Sequence, residues 1–264
     1  MVLAAEGSVH RAGAGRHGAS VLTLILPAYN EARRLPASLV RCADFFRGRG
    51  IRAEIIVSDD GSTDGTSLAF GEAASGLAES GVELRYLPLP HRGKGAAVRA
   101  GVLHASGDPI VFLDADLSIP VEIVDRFLAA ISGGADIAIA SRYVEGSTVR
   151  RPLIRRIMGS GYRAVVRALV PAGVSDTQCG GKAYTAEAAR DLFSRQRLPG
   201  FAFDAEVLYL AKRASYRVTE VPFTLRQDRD TSINLLRDAP RMLADLFRIR
   251  VNALLGRYRP GARP

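Results

Sequence analysis

Residues 21–31 read Val21-Leu-Thr-Leu-Ile-Leu-Pro-Ala-Tyr-Asn-Glu31, an almost unbroken apolar run that stops at a proline and opens into a polar turn. A run without polar alternation fits a strand covered on both faces. The same unit recurs outward from it. Asn30 to Phe46 carries helical spacing and ends before Gly48 and Gly50, and Glu54-Ile-Ile-Val57 reads as strand again. Helix is expected over Thr66–Ser80, strand over Val82–Leu87, helix over Gly95–Ala105 and strand over Ile110–Leu113. Helix over Ile119–Ile131 and strand over Ala135–Ala140 complete the series. Such alternation implies right-handed crossovers and an α/β fold, a mostly parallel sheet with helices on both faces. Ligands of these sheets bind outside the carboxyl ends of the strands, so chemistry is expected just after each strand.

Past Ser141 the alternation loosens. Arg150–Val170 reads as a basic helix entered through Pro152, Ser175–Gly181 as a polar turn and Lys182–Tyr184 as a short strand. Helices follow near Ala186–Phe193 and Asp204–Lys212, with a strand at Arg217–Leu225. The last element, Leu235 to Leu255, is a long basic amphipathic pattern interrupted by Pro240. The chain is thus expected to divide into a flexible tail over 1–20, one α/β domain over 21–230, and an amphipathic helix with a tail over 231–264.

Composition narrows the classes. With 264 residues, 47% hydrophobic and 24% charged, the chain buries a core and is not disordered. Cys42 and Cys179 lie far apart without CxxC spacing, which argues against a disulfide scaffold or a cysteine zinc site. Apolar runs fall far short of the roughly 20 residues that cross a bilayer. Residues 1–20 lack a continuous apolar segment, so they read as a tail and not a signal peptide, and the domain is expected in the cytosol. Lys and Arg number 36 against 27 acids, a net charge of +9. Only Lys94, Lys182 and Lys212 are lysines; arginine makes up the rest, and its planar fork suits phosphate. Charge alone leaves nucleic acid, anionic membrane and phosphorylated substrate open. The absence of Trp, with only Tyr143 and Tyr162 among the seven clustered arginines, argues against nucleic acid held by base stacking. From Arg142 to Arg167 there are seven arginines and one acid, Glu145.

Polar groups gather at four successive strand ends: Pro27-Ala-Tyr-Asn-Glu31, Ser58-Asp-Asp-Gly-Ser-Thr-Asp-Gly65, Arg92-Gly-Lys-Gly95 and Asp114-Ala-Asp116. Either acidic motif alone is a common turn; together, in order, they mark one crevice. Asp114 and Asp116 supply hard oxygens suited to Mg²⁺ or Mn²⁺, which take one or two carboxylates and complete the shell from phosphate and water. Asp60 can accept from a nucleobase or ribose, and Lys94 can reach a phosphate. GxxxxGKS does not occur, and the one GxGxxG, Gly13-Ala-Gly-Arg-His-Gly18, lies in the N-terminal tail ahead of a strand run and not at a strand-to-helix turn, so a P-loop or dinucleotide site is unsupported.

These motifs resemble the family 2 inverting glycosyltransferases of the GT-A fold, over about residues 22–225. Ser141-Arg-Tyr143, Arg156 with Ser160, Asp176-Thr-Gln-Cys-Gly180 followed by Lys182, and Phe203-Asp-Ala-Glu206 narrow the likeness to polyprenyl-phosphate sugar synthases. Within those, the dolichyl-phosphate β-glucosyltransferase branch is most similar. The resemblance implies a GT-A domain over 21–230 with a basic acceptor-side helix. It also implies a nucleotide-sugar site of Pro27, Tyr29, Glu31, Asp60, Lys94, Asp114 and Asp116. Asp60 would contact the base and Asp116, with Asp114, the metal. Arg142, Arg156 and Ser160 would hold donor and acceptor phosphates, making Asp116, Arg142 and Arg156 the catalytic set. UDP-sugar is the favoured donor, GDP-sugar the other possibility, and polyprenyl phosphate the acceptor. The protein would then be peripheral on the cytoplasmic face of a membrane, through the lipid surface or a membrane protein. Two departures stand out: Gly181 replaces a usual aromatic, and Ser118 replaces a Gln common in mannosyl relatives.

The acceptor has a reading of its own. A phosphate monoester is largely dianionic at neutral pH and attacks an anomeric carbon without a general base, provided cations hold it. Asp176, Asp204 and Glu206 are therefore expected to be structural, as is Cys179. Competing readings are a soluble acceptor, a phosphohydrolase built on Asp114-Ala-Asp116, and a non-catalytic nucleotide-binding module. The first later motif a phosphohydrolase needs, an acidic GDxxxD pair, does not occur.

Overall fold

The run at Leu22–Leu26 is buried throughout, and its side chains part: Leu22, Leu24 and Leu26 enter one hydrophobic core and Ile25 the other. The structure, a computed structural model, describes residues 10–12, 22–148, 161, 163–224 and 235–258. Its elements are β1 (His10–Ala12), β2 (Leu22–Ala28), α1 (Leu35–Gly48), β3 (Ala53–Asp59), α2 (Thr66–Gly76), β4 (Glu83–Pro88) and α3 (Lys94–His104). There follow β5 (Ile110–Leu113), α4 (Ile123–Ser132), β6 (Ile137–Ser141), α5 (163–169) and β7 (Gly181–Tyr184). α6 (Ala186–Arg195), α7 (Phe203–Arg213), β8 (Val218–Pro222) and α8 (Leu235–Leu254) close the chain.

The strands form one sheet in the order β1-β4-β3-β2-β5-β7-β6-β8. β4, β3, β2 and β5 are mutually parallel, as are β6 and β8; β1 and β7 run against their neighbours. The mostly parallel sheet expected from the alternation is present, with helices on both faces. Phe46 of α1, Phe70 of α2 and Phe127 of α4 fill one core. Val98 of α3, Phe193 of α6, Leu208 of α7 and Leu246 of α8 fill the other.

Several boundaries move for physical reasons. α1 begins at Leu35, not Asn30, because Pro36 sits in its first turn, where a missing N–H costs nothing. Asn30 instead takes a left-handed backbone, φ 56°. Its N–H donates to Ser62 Oγ at 2.8 Å, and its Oδ1 accepts from the Thr63 N–H at 2.8 Å, tying two strand ends together. Within the segment read as a tail, His10–Ala12 pair with β4. Pro240 does not interrupt the last helix; α8 runs through it. Nor is that helix set apart from the domain: Leu246 and Ile249 are buried, and Tyr258 Oη donates to Glu206 Oε1 at 2.6 Å. Of the basic helix read over Arg150–Val170, residues 163–169 are helical; Arg156 and Ser160 lie outside the described residues.

β7 carries an ion pair into the interior. Lys182 is wholly buried opposite Phe112 and Ile139, and its Nζ donates to Asp204 Oδ1 at 2.5 Å and to the Cys179 carbonyl at 2.6 Å. Removing one partner strands the other charge without water. Lys182→Ala is therefore expected to lower unfolding free energy by about 3–5 kcal/mol in urea titration. Lys182→Met with Asp204→Leu should recover most of that loss.

Candidate active site

β2, β3, β4 and β5 end side by side, and parallel pairing puts Ala28 level with Asp59 and Asp59 level with Pro88. Each following loop is held by its neighbours. Asp59 accepts from the Ser62 N–H at 3.1 Å and from the Tyr86 hydroxyl. Asp60 is 4% exposed, and its carboxylate accepts from the Arg92 N–H at 2.8 Å and the Gly93 N–H at 2.8 and 3.0 Å. His91 Nδ1 lies 2.9 Å from the same carboxylate. Asp60 thus fastens the loop after β4. Tyr29, 45% exposed, stacks on the His91 ring with centroids 4.3 Å apart. Pro27 is the second-last residue of β2, level with Ser58.

That fastened loop delivers Lys94. Gly93 has φ 116°, and a Cβ there would stand 2.7 Å from the Pro199 carbonyl oxygen. A side chain at Gly95 would meet Phe203, Leu198 and Gly200 at 2.7–2.8 Å. So close an approach, possible only for glycine, brings Lys94 Nζ to 2.5 Å from Asp114 Oδ1. Burial opposes the ammonium charge, but Asp114, Asp204 and Asp116 outweigh it and hold the Lys94 pKa above its usual value. Asp116 accepts from the Ser118 N–H at 2.9 Å. Glu31 is drawn in as well: burial raises its carboxyl pKa, the paired Arg34 lowers it, and the charges of Asp116 and Asp64 raise it again. Asn30, Glu31, Arg33, Arg34 and Asp64 line a cleft of about 380 Å³ beside this cluster. Any side chain at Gly180 would overlap the Asp114 carboxylate, so that position too requires glycine.

Residues 23–193 match the glycosyl transferase family 2. The chain belongs to that family. A dolichyl-phosphate beta-glucosyltransferase of Drosophila melanogaster is 35% identical over 253 residues, 90% of this chain and 77% of the fly protein. The Saccharomyces cerevisiae enzyme of the same name is 31% identical over 259 residues, 90% and 76% of the two chains. Among solved structures, glucosyl-3-phosphoglycerate synthase of Mycobacterium tuberculosis with Mn²⁺, UDP-glucose and phosphoglyceric acid shares the fold. Its TM-score is 0.64 at 23% identity, covering 92% of this chain and 82% of that one. The GT-A fold read from the motifs is thereby shown, and the chain is a glycosyltransferase.

The donor set of this glycosyltransferase suits a hard divalent ion. Among the described residues, Asp116 accepts through one oxygen from the Ser118 N–H, and Asp114 pairs through one oxygen with Lys94. Among the described residues no group of three or more His, Cys, Asp or Glu could hold a metal by itself. Two carboxylates with the remaining ligands from diphosphate and water match how Mg²⁺ and Mn²⁺ are held at phosphate-transfer sites.

On the acceptor side the arginine of Ser141-Arg-Tyr143 is not a free cation. Arg142 Nε and Nη2 each lie 2.6 Å from one oxygen of Asp176, whose own N–H and that of Ser175 donate to Glu220. Burial resists both charges, yet each holds the other ionised: Arg142 is pushed up, and Asp176 is held below the usual carboxylate range. The cation that sequence reading passed over is Arg163, whose guanidinium lies 3.9 Å from the Tyr143 ring centroid. It was one of seven arginines, and only the fold distinguishes it. His91 was likewise missed, one residue before the quoted Arg92-Gly-Lys-Gly95 motif. Asp204, Glu206 and Asp176 are all spent on internal partners, and burial pushes the Cys179 thiol up to about 12.

Because the Asp176 carboxyl titrates below 3.8 when folded, its pairing adds stability that is complete above that value and lost as pH falls through the folded pKa. Asp176→Asn should flatten that acid limb in urea titrations and cost about 3 kcal/mol at neutral pH, since Arg142 loses its counter-charge. An unchanged acid limb would assign the pH dependence to other carboxylates.

Proposed function

We propose that this glycosyltransferase moves glucose from UDP-glucose to a polyprenyl phosphate such as dolichyl phosphate, with inversion at C1. The observation carrying this reading is the match to dolichyl-phosphate beta-glucosyltransferases across nine-tenths of the chain, together with the gathering of Lys94, Asp114 and Asp116 at the strand ends. An acceptor phosphate oxygen attacks C1, the bond from C1 to the diphosphate oxygen breaks, and its electron pair leaves with the nucleoside diphosphate. No proton need be removed, because the acceptor arrives ionised.

The chain's residues position and neutralise. Lys94, kept charged by Asp114, faces the diphosphate. The Tyr29–His91 stack, with Pro27 and Glu31 nearby, offers the base a flat wall, and Asp60 sets the loop that carries that wall. A divalent ion at Asp116 and Asp114, Mg²⁺ or Mn²⁺, would stabilise negative charge on the leaving diphosphate. Arg163, with Arg156 and Ser160 from the adjoining segment, holds the acceptor phosphate, while the neutralised Arg142–Asp176 pair orients that wall of the site. The acceptor's lipid tail places the work at a membrane surface on the cytoplasmic side, directly or through a membrane protein.

Incubation with radiolabelled UDP-glucose or a GDP-sugar, polyprenyl phosphate and Mg²⁺ or Mn²⁺, followed by lipid extraction, tests the reading. Label from UDP-glucose should enter the organic phase, vanish with EDTA, and fall about a hundredfold or more with Asp116→Ala. Transfer that survives EDTA would remove the metal, and transfer only to a soluble acceptor would remove the lipid. Arg163→Ala should raise the acceptor KM about tenfold or more with little change in kcat, and Arg163→Lys should restore part of it. An unchanged acceptor KM would take Arg163 out of the acceptor site.

A further inference from the structure

α8 has two faces of opposite character. Leu246, Ile249 and Asn252 turn into the second core. Phe247, Val251, Leu254 and Leu255 turn outward, 58%, 50%, 81% and 60% exposed. Steps of three and four residues place them on one stripe. Water meets apolar surface along most of its length, an arrangement that soluble domains rarely leave uncovered. Arg248 and Arg250 flank the stripe and Arg257 follows it, all exposed. Over residues 241–258 four arginines stand against Asp245 alone, and Asp245 pairs with Arg248. At the end of the stripe Leu254 and Leu255 line a cleft of about 460 Å³ that Arg195 and Arg213 also border.

The stripe belongs to a helix beside the mouth of the site. A methyl group at Gly200 would stand 3.8 Å from the Asp245 carboxylate. The same Pro199–Gly200 loop takes the Ala96 N–H on the Pro199 carbonyl at 3.0 Å and lies against Gly93. One loop therefore separates α8 from Lys94.

We propose that the outer face of α8 docks on an anionic bilayer, with Phe247, Val251, Leu254 and Leu255 entering the boundary between headgroups and acyl chains and the arginines pairing with lipid phosphates. A second copy of the chain fits this face poorly, since self-contact would press arginine against arginine. Among the described residues no helix is long and apolar enough to cross a membrane, so α8 lies on the surface and does not span it. The proposal rests on the reading of the acceptor as a polyprenyl phosphate, which cannot readily leave the bilayer; docking here holds the domain at that surface.

Sedimentation of the full chain with phosphatidylcholine vesicles, with and without phosphatidylserine, tests it. Binding should rise with phosphatidylserine and fall with salt. The variant Phe247→Ser, Val251→Ser, Leu254→Ser, Leu255→Ser should bind about tenfold or more weakly, and Arg248→Gln with Arg250→Gln about fivefold more weakly per arginine. Both should keep the wild-type Tm and keep transfer to a short, water-soluble isoprenyl phosphate. If the serine variant loses its Tm, the arginine variant carries the test. Equal vesicle binding by wild type and both variants, or conversion of an oligomer to monomers by the serine variant, overturns the proposal. Stripe-dependent binding without transfer to any isoprenyl phosphate would sustain the docking face and remove the acceptor reading instead.

Discussion

The site depends on a run of alternating charges that leads from the interior to the strand ends. Lys182 pairs with Asp204 in the core, Lys94 feels Asp204 from above, and Lys94 in turn pairs with Asp114 at the surface. Asp114 and Asp116 stand two residues apart in the turn after β5, where two like charges repel one another, and a buried acid behind them would add to that repulsion. The lysines interleaved between them remove the conflict. Asp114 and Asp116 can then share one edge, where hard-cation and phosphate chemistry needs them.

Holding that ladder requires backbone contacts closer than any side chain permits. Gly93 and Gly95 let the Lys94 loop lie on the Pro199–Gly200 loop, and Gly180 leaves room for the Asp114 carboxylate. Gly181 explains the departure from the usual aromatic at that position. A Cβ there would already meet Ile119 at 3.0 Å and Leu113 at 3.2 Å, so Ile119 fills the volume that an aromatic ring would otherwise occupy. The substitution is a local exchange of packing partners, and the turn carrying Cys179 stays buried.

The parallel half of the fold was legible because burial on both faces writes unbroken apolar runs, and β2 to β5 fall within a residue or two of expectation. The antiparallel insertion of β7 between β5 and β6 was not, because four residues carry no signal of direction. Asp114, Asp116 and Lys94 could be placed together from motif order alone, since successive parallel strands must end on one edge. What a motif cannot disclose is where a charge is spent. Asp60 reads as an open acceptor, yet the fold turns it onto backbone N–H groups. Arg142 reads as a phosphate grip, yet it meets Asp176 thirty-four residues away. Pro240 misled in the other direction, because packing of α8 on the core outweighs the one helical hydrogen bond that a proline removes.

The same spending of charge bears on the kind of acceptor. A hydroxyl nucleophile needs a base within reach, and the three acids that the motifs single out beyond the strand ends, all among the described residues, are already committed. Asp176 serves Arg142, Asp204 serves Lys182, and Glu206 accepts from Tyr258 and from the Arg197 and Leu198 N–H groups. Glu31 faces the cluster but is bound to Arg34 through both oxygens. Cations are arranged differently: Arg163 lies over the Tyr143 ring, 3.9 Å from its centroid, beside a pair whose net charge is zero. A wall with a stacked guanidinium and with its described acids engaged elsewhere favours an acceptor that brings its own negative charge. The proposed phosphate acceptor meets that condition, whereas a sugar hydroxyl would need a base free to take its proton.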